Sequence, residues 1–72
     1  MAQMELFSVV AVLRDLPELG LVRGQVGTIV EDLAADVYLV DFCDQEGRTY
    51  ALASLRPDEL IRLHHRPLER VA

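Results

Sequence analysis

No stretch of this chain longer than about a dozen residues runs free of a glycine, a proline or a cluster of charges. That spacing favours short strands joined by turns. Leu6-Phe7-Ser8-Val9-Val10-Ala11-Val12-Leu13 is rich in β-branched residues and reads as the first strand. Residues 14–24 follow, punctuated by Pro17, Gly20 and Gly24, and read as a long ordered loop. Its Leu16, Leu19, Leu21 and Val22 are too apolar for a free loop, so some of them fold back onto the core. Residues 25–32 form the second strand, 33–36 a link, and 37–43 the third strand. Asp44-Gln45-Glu46-Gly47 is a polar hairpin connection, its Gly placed where a positive φ is tolerated. Residues 48–54 return as the fourth strand. Pro57-Asp58-Glu59-Leu60, a proline followed by two acids, signals one 3-10 turn, and residues 61–63 close as a fifth strand.

Five short strands in one small domain expose two sheet edges unless the sheet closes, so the expected architecture is a small barrel. The domain spans residues 1–63, with 64–72 as a tail; 72 residues leave no room for a second core. Taking one face of each strand as the inner one, the expected core is Val10, Val12, Val26, Ile29, Val40, Phe42, Leu52 and Leu60.

Charge narrows the function. Residues 1–61 hold eleven acids against four arginines, and residues 62–72 three arginines against one glutamate. An acidic body repels a phosphate backbone, which argues against sequence-independent nucleic-acid binding. One cysteine, Cys43, cannot form an internal disulfide, which suits a reducing compartment. The eight-residue apolar run 6–13 is too short for a membrane span and lacks the basic flank of a signal peptide. The expected location is the cytoplasm, with no membrane contact.

Arg23-Gly24-Gln25-Val26-Gly27-Thr28-Ile29-Val30 resembles the start of a KOW-type motif: a basic residue, Gly, two residues, Gly, one residue, then Val or Ile. The wider pattern adds Val9-Val10, Leu16-Pro17, Gly20-Leu21, Tyr38-Leu39-Val40-Asp41-Phe42, Gly47, Thr49-Tyr50-Ala51-Leu52 and Leu60. It covers nearly the whole chain and is similar to a family of small bacterial proteins defined only as a domain of unknown function. The resemblance implies an all-β fold: a five-stranded SH3-like barrel with a long first loop and a 3-10 turn before the last strand. It also implies structural roles for two glycines, Gly24 ending the loop and Gly27 letting a strand curve tightly. KOW domains bind RNA or protein; RNA binders carry Lys and Arg around the motif, where this chain has Glu31, Asp32, Asp36, Asp44 and Glu46. SH3-like subunits of redox complexes that dock ferredoxin need a basic face, the opposite of this body.

Each candidate for chemistry has a simpler explanation. His64 and His65 are adjacent, would point to opposite faces of a strand and lack further ligands. Cys43 lies between Phe42 and Asp44, without the neighbouring cation that activates a thiol. Asp41, Asp44 and Glu46 lack the spacing of a calcium loop. No helix follows the glycines to cradle phosphate. Ser8 and Ser54 lie in strands, outside any nucleophile elbow.

No enzyme, cofactor or metal site is therefore expected. The expected function is a non-catalytic protein-binding module or small accessory subunit, with RNA or DNA binding through the KOW-like loop as the alternative. The partner is a protein or a second copy, in a homodimer. Candidate contacts are Leu19, Leu21 and Val22 of the long loop, and Tyr38 and Tyr50, since interfaces favour amphipathic Tyr. Leu33 in the link adds to the apolar surface offered to a second copy.

Overall fold

In the computed structural model, which describes residues 4–64, the chain forms one five-stranded antiparallel sheet. The strands are β1 (Val9–Val12), β2 (Val26–Ala34), β3 (Val37–Cys43), β4 (Thr49–Leu55) and β5 (Leu60–Arg62). Their order across the sheet is β4-β3-β2-β1-β5, so each neighbours its sequence neighbour except β5, which returns beside β1. The only helical pieces among the described residues are two 3-10 turns, Pro17–Leu19 in the long loop and Pro57–Glu59 before β5. The all-β, five-stranded expectation holds.

One hydrophobic core joins side chains from all five strands, including Leu55 of β4 and Leu60 of β5. A flat sheet could not bring its two edge strands to the same core, so the sheet curls around it. Three register shifts help it bend. Val30 and Leu33 are extra residues on β2 opposite β3, and Tyr50 is extra on β4 opposite β3. Each such bulge kinks its strand and increases the local twist. Only Arg56 and the second 3-10 turn separate Leu55 from Leu60, so the two sheet edges approach each other at that end.

The strand ends differ from expectation in places. β1 starts at Val9 rather than Leu6, because Phe7 adopts φ 68° and turns the chain. β2 runs through Leu33 and Ala34, which the sequence placed in a link; the connection to β3 is Ala35-Asp36 alone. The expected long loop contains a 3-10 turn that its composition did not signal. The tail is represented only by exposed His64; residues 65–72, including His65, lie outside the described residues.

Six of the eight expected core residues are buried: Val10, Val12, Ile29, Val40, Phe42 and Leu60. Val26 and Leu52 are not; they are 46% and 59% exposed and face outward. Strand alternation explains both. Ile29 points inward, so Gly27 does too, and Val26 must point out. On β4, Ala53 and Leu55 point inward, which turns Leu52 to the outer face. Residue size does not predict the inner face here, because the curled sheet takes small residues, Gly27 and Ala53, inside at these places. Phe42 fills the interior, and a Cβ on Gly27 would lie 2.7 Å from Val40 Cγ1 and 2.8 Å from Phe42 Cδ1. Narrow barrels fill their interior by setting small residues against large ones.

Two of the loop leucines complete the core. Leu16 and Leu21 pair through reciprocal backbone hydrogen bonds of 2.8 and 3.1 Å, and both side chains are buried. Gly20 (φ 72°) makes the return possible, its N–H donating to the Pro17 carbonyl. The loop thus folds back as a plug for the core. At its start, Leu13 N–H donates to the Glu59 carbonyl, and Arg14 pairs with Glu59 at 2.8 Å. The Arg14 side chain is largely exposed, so this pair adds little stability and mainly marks where the loop sits on the second 3-10 turn.

Candidate docking surface

Of the five side chains expected to meet a partner, three are on the surface: Leu19, Val22 and Tyr50. The other two are not available. Leu21 is only 1% exposed, packed in the loop plug, and Tyr38 is 2% exposed on the inner face of β3. Tyr38 is a structural anchor: its hydroxyl oxygen accepts a hydrogen bond from Met4 N–H at 3.1 Å, holding the N-terminal segment against the core. Both residues are large and apolar enough to suit an interface, and at this size of domain the core takes such residues first. Tyr50 rests on the core from outside, its ring centroid 6.3 Å from that of Phe42. Leu33 is also exposed, now as a bulged strand residue.

The glycines expected to be structural have clear local causes. Gly24 ends the loop at φ 92°, and its N–H donates to the Val12 carbonyl at 2.8 Å. Gly27 has ordinary backbone angles; it is required for space, not for conformation.

A more continuous apolar surface lies on the outer face of β1, β2 and β5. Ala11 of β1 faces Val26 of β2 on one side and Ile61 of β5 on the other. Residues paired across strands share a face, so all three point outward with Val26. Val26 and Ile61 are 46% and 49% exposed, while the small Ala11 lies covered between them. The result is a shallow aliphatic trough across three strands, extended by exposed Leu13 just past β1. Strict alternation within β1 was the signal that could have found it, because Val9, Ala11 and Leu13 must share one face if Val10 and Val12 share the other.

Just before β1 stands Phe7, 70% exposed. Its φ of 68° is the one positive value on a non-glycine among the described residues. Its N–H donates to the Ile29 carbonyl, which fixes the turn against β2. A left-handed backbone at a bulky residue costs roughly 1–2 kcal/mol. Backbone strain of this kind concentrates at sites that bind or switch.

Among the described residues, those considered for chemistry make local contacts. Cys43 is exposed, with Sγ 3.7 Å from Thr49 Oγ1, whose hydroxyl donates to Asp41 at 2.8 Å. Asp44 accepts from the N–H groups of Glu46 and Arg48, closing the hairpin turn. Among the described residues no three His, Cys, Asp or Glu side chains are placed to hold a metal ion, and no helix is long and apolar enough to cross a membrane. No curated protein and no solved structure matches the chain. A family model does, over residues 6–62, which is the whole sheet from the Phe7 turn to the end of β5. The chain belongs to the family described as a domain of unknown function, DUF4926.

Proposed function

We propose that this domain is a non-catalytic protein-binding module that docks a protein partner on the outer face of β1, β2 and β5. The observation that carries the reading is the aliphatic trough of Val26, Ala11 and Ile61, facing water on a sheet whose inner face already has a complete core. Aliphatic side chains side by side on three strands suit protein contact, and each such side chain fully buried contributes about 1.5–3 kcal/mol. The positions of Gly24 and Gly27 support kinship with KOW-type barrels. The acids around the strand ends favour a protein over a nucleic-acid partner for such a barrel here.

The test compares tagged wild type with a Val26→Lys/Ile61→Lys variant as bait in extracts of the source cells. A partner held by the wild type and released by the variant, both baits melting alike, supports the reading. Its footprint in amide hydrogen exchange is then expected at residues 9–13, 26–28 and 60–62. A partner retained equally by both baits, or a footprint elsewhere, rejects it.

A further inference from the structure

The chain leaves the core differently at the two ends of β1. Past its C-terminal end the long loop lays two fully buried leucines, Leu16 and Leu21, on the core. Before its N-terminal end lies the segment Met4–Phe7. Of these four residues Met4 alone packs on the core, half-buried, and its N–H is tied to the Tyr38 hydroxyl oxygen at 3.1 Å. Leu6 and Phe7 are exposed. The segment is shaped by a turn in an unfavourable form. Ser8 N–H donates to the Glu5 carbonyl at 3.2 Å, so Glu5–Ser8 is a four-residue turn with Phe7 third. Phe7 N–H donates to the Ile29 carbonyl at 2.6 Å and Ile29 N–H to the Ser8 carbonyl at 3.0 Å, so Phe7 and Ser8 together oppose the single residue Ile29. A positive φ at the third turn residue, in a bulge of this kind, is the place of a glycine. Here it holds a phenylalanine at φ 68°. Ser8, next to it, carries the one buried side-chain oxygen without a partner among the described residues. A glycine would adopt this turn at no steric cost, so the phenylalanine favours a different backbone. Local choices that contradict the observed backbone mark functional sites.

We propose that Met4–Phe7 is a strap that opens by a backbone switch at Phe7 and thereby regulates the docking face of β1, β2 and β5. Val9 faces Thr28 and Val10 faces Gly27, so the same register carried on sets Ser8 against Ile29. With Phe7 extended, the Ser8 N–H passes from the Glu5 carbonyl to the Ile29 carbonyl, and the Phe7 N–H is released. β1 grows toward its N-terminus without the bulge, and Met4 leaves Tyr38. Ser8 and Val10 are both buried on the inner face, so an extended Phe7 falls on the outer one, in the row Phe7, Val9, Ala11 and Leu13. In the closed turn Phe7 stands outside the strand and its alternation. Opening therefore adds an aromatic ring to the row that already carries Ala11 of the trough. A partner that buries the lengthened row draws the strap open by as much as it prefers the open form. This use of Phe7 rests on the docking reading; the switch itself belongs to the free chain.

The test is amide hydrogen exchange of the full chain in wild type, Phe7→Gly, Phe7→Val and Tyr38→Phe, with rates corrected for sequence and melting curves to confirm that each variant folds. In the wild type the Met4 and Phe7 amides are expected to exchange together and faster than those of β2 and β3. Ser8, bonded in both forms, is expected to exchange more slowly than either. Phe7→Gly fits the turn and is expected to slow exchange at residues 4 and 7 about tenfold. Phe7→Val, which tolerates a positive φ still less, and Tyr38→Phe, which loses the bond to Met4, are expected to speed it. In Tyr38→Phe the Phe7 ring is expected to show nuclear Overhauser contacts to the Val9 methyl groups. Met4 and Phe7 amides that exchange only with the whole sheet overturn the inference, as does a Phe7→Gly protein that exchanges as fast as wild type. A Ser8 amide as fast as that of Phe7 shows simple fraying, and a Phe7 ring that never nears Val9 shows an opening that leaves the docking face unchanged; either overturns it as well. All of these readings are made on the free chain, so they hold or fail separately from the bait experiment, which reads Val26 and Ile61.

Discussion

Replacing Gly27 with alanine adds one methyl group to a place that has no room for it. The new Cβ would lie 2.7 Å from Val40 Cγ1 and 2.8 and 2.9 Å from two ring carbons of Phe42. Ordinary carbon contacts begin near 3.5 Å, so three contacts are too short by about 0.6–0.8 Å. Val40 and Phe42 are fully buried and cannot swing into solvent to relieve them. Overpacking of this kind costs about 1–3 kcal/mol. Alanine also restricts the unfolded chain, which returns about 0.4–1 kcal/mol. The net loss expected is about 1–2 kcal/mol, against roughly 3–5 kcal/mol of stability for a domain of this size. At about 4–8 °C per kcal/mol, the melting temperature falls by about 4–16 °C. Gly27→Val, with two further methyl groups, is expected to leave the chain largely unfolded. Circular dichroism melts and urea titrations measure both. The decisive check is the double variant Gly27→Ala/Phe42→Leu: shrinking the side chain that the methyl strikes recovers part of the loss. A Gly27→Ala protein as stable as wild type, or a double variant whose losses simply add, would refute the steric argument.

Leu21→Ala removes a side chain from the loop plug and is expected to cost about 2–5 kcal/mol by denaturant titration, the range for a buried leucine; an effect under about 0.5 kcal/mol would show Leu21 acting as a surface residue. Gly24→Ala places a Cβ in open space but at φ 92°, so a loss of about 1–2 kcal/mol is expected from backbone strain alone. Its melting curve should fall even though nothing is crowded. Ser8 is buried, and its hydroxyl has no partner among the described residues. Ser8→Ala is therefore expected to raise stability by about 0.5–1 kcal/mol, and a loss greater than about 1 kcal/mol in the same titration would reveal a hydrogen bond there.

The apolar run Val37–Cys43 between Asp36 and the polar hairpin marked β3 to the residue, while the structure sets Tyr38, Val40 and Phe42 together on its inner face. The polar hairpin at Asp44–Gly47 and the proline-led turn before β5 were equally local signals, since turn chemistry acts over three or four residues. The number of strands and their succession along the chain followed from these local signals; their order across the sheet did not. So did the exposed apolar character of Leu19, Val22 and Tyr50, though not the burial of Leu21 and Tyr38. A loop leucine and a strand tyrosine read alike whether they face a partner or the core.

Which face of a strand turns inward is decided by the curvature of the curled sheet, and that is a property of all five strands together. It put Gly27 and Ala53 inside and Val26 and Leu52 outside, against the order of their hydrophobicity. The aliphatic trough exists because register sets Ala11 between Val26 and Ile61, residues fifteen and fifty positions away along the chain. The open β4 edge exists because β5 pairs with β1 and leaves β4 with one neighbour. Side-chain alternation and turn residues are local and can be read along the chain. Register, facing and edges come from pairing between distant segments, where packing around Phe42 selects one arrangement from several that the sequence pattern allows.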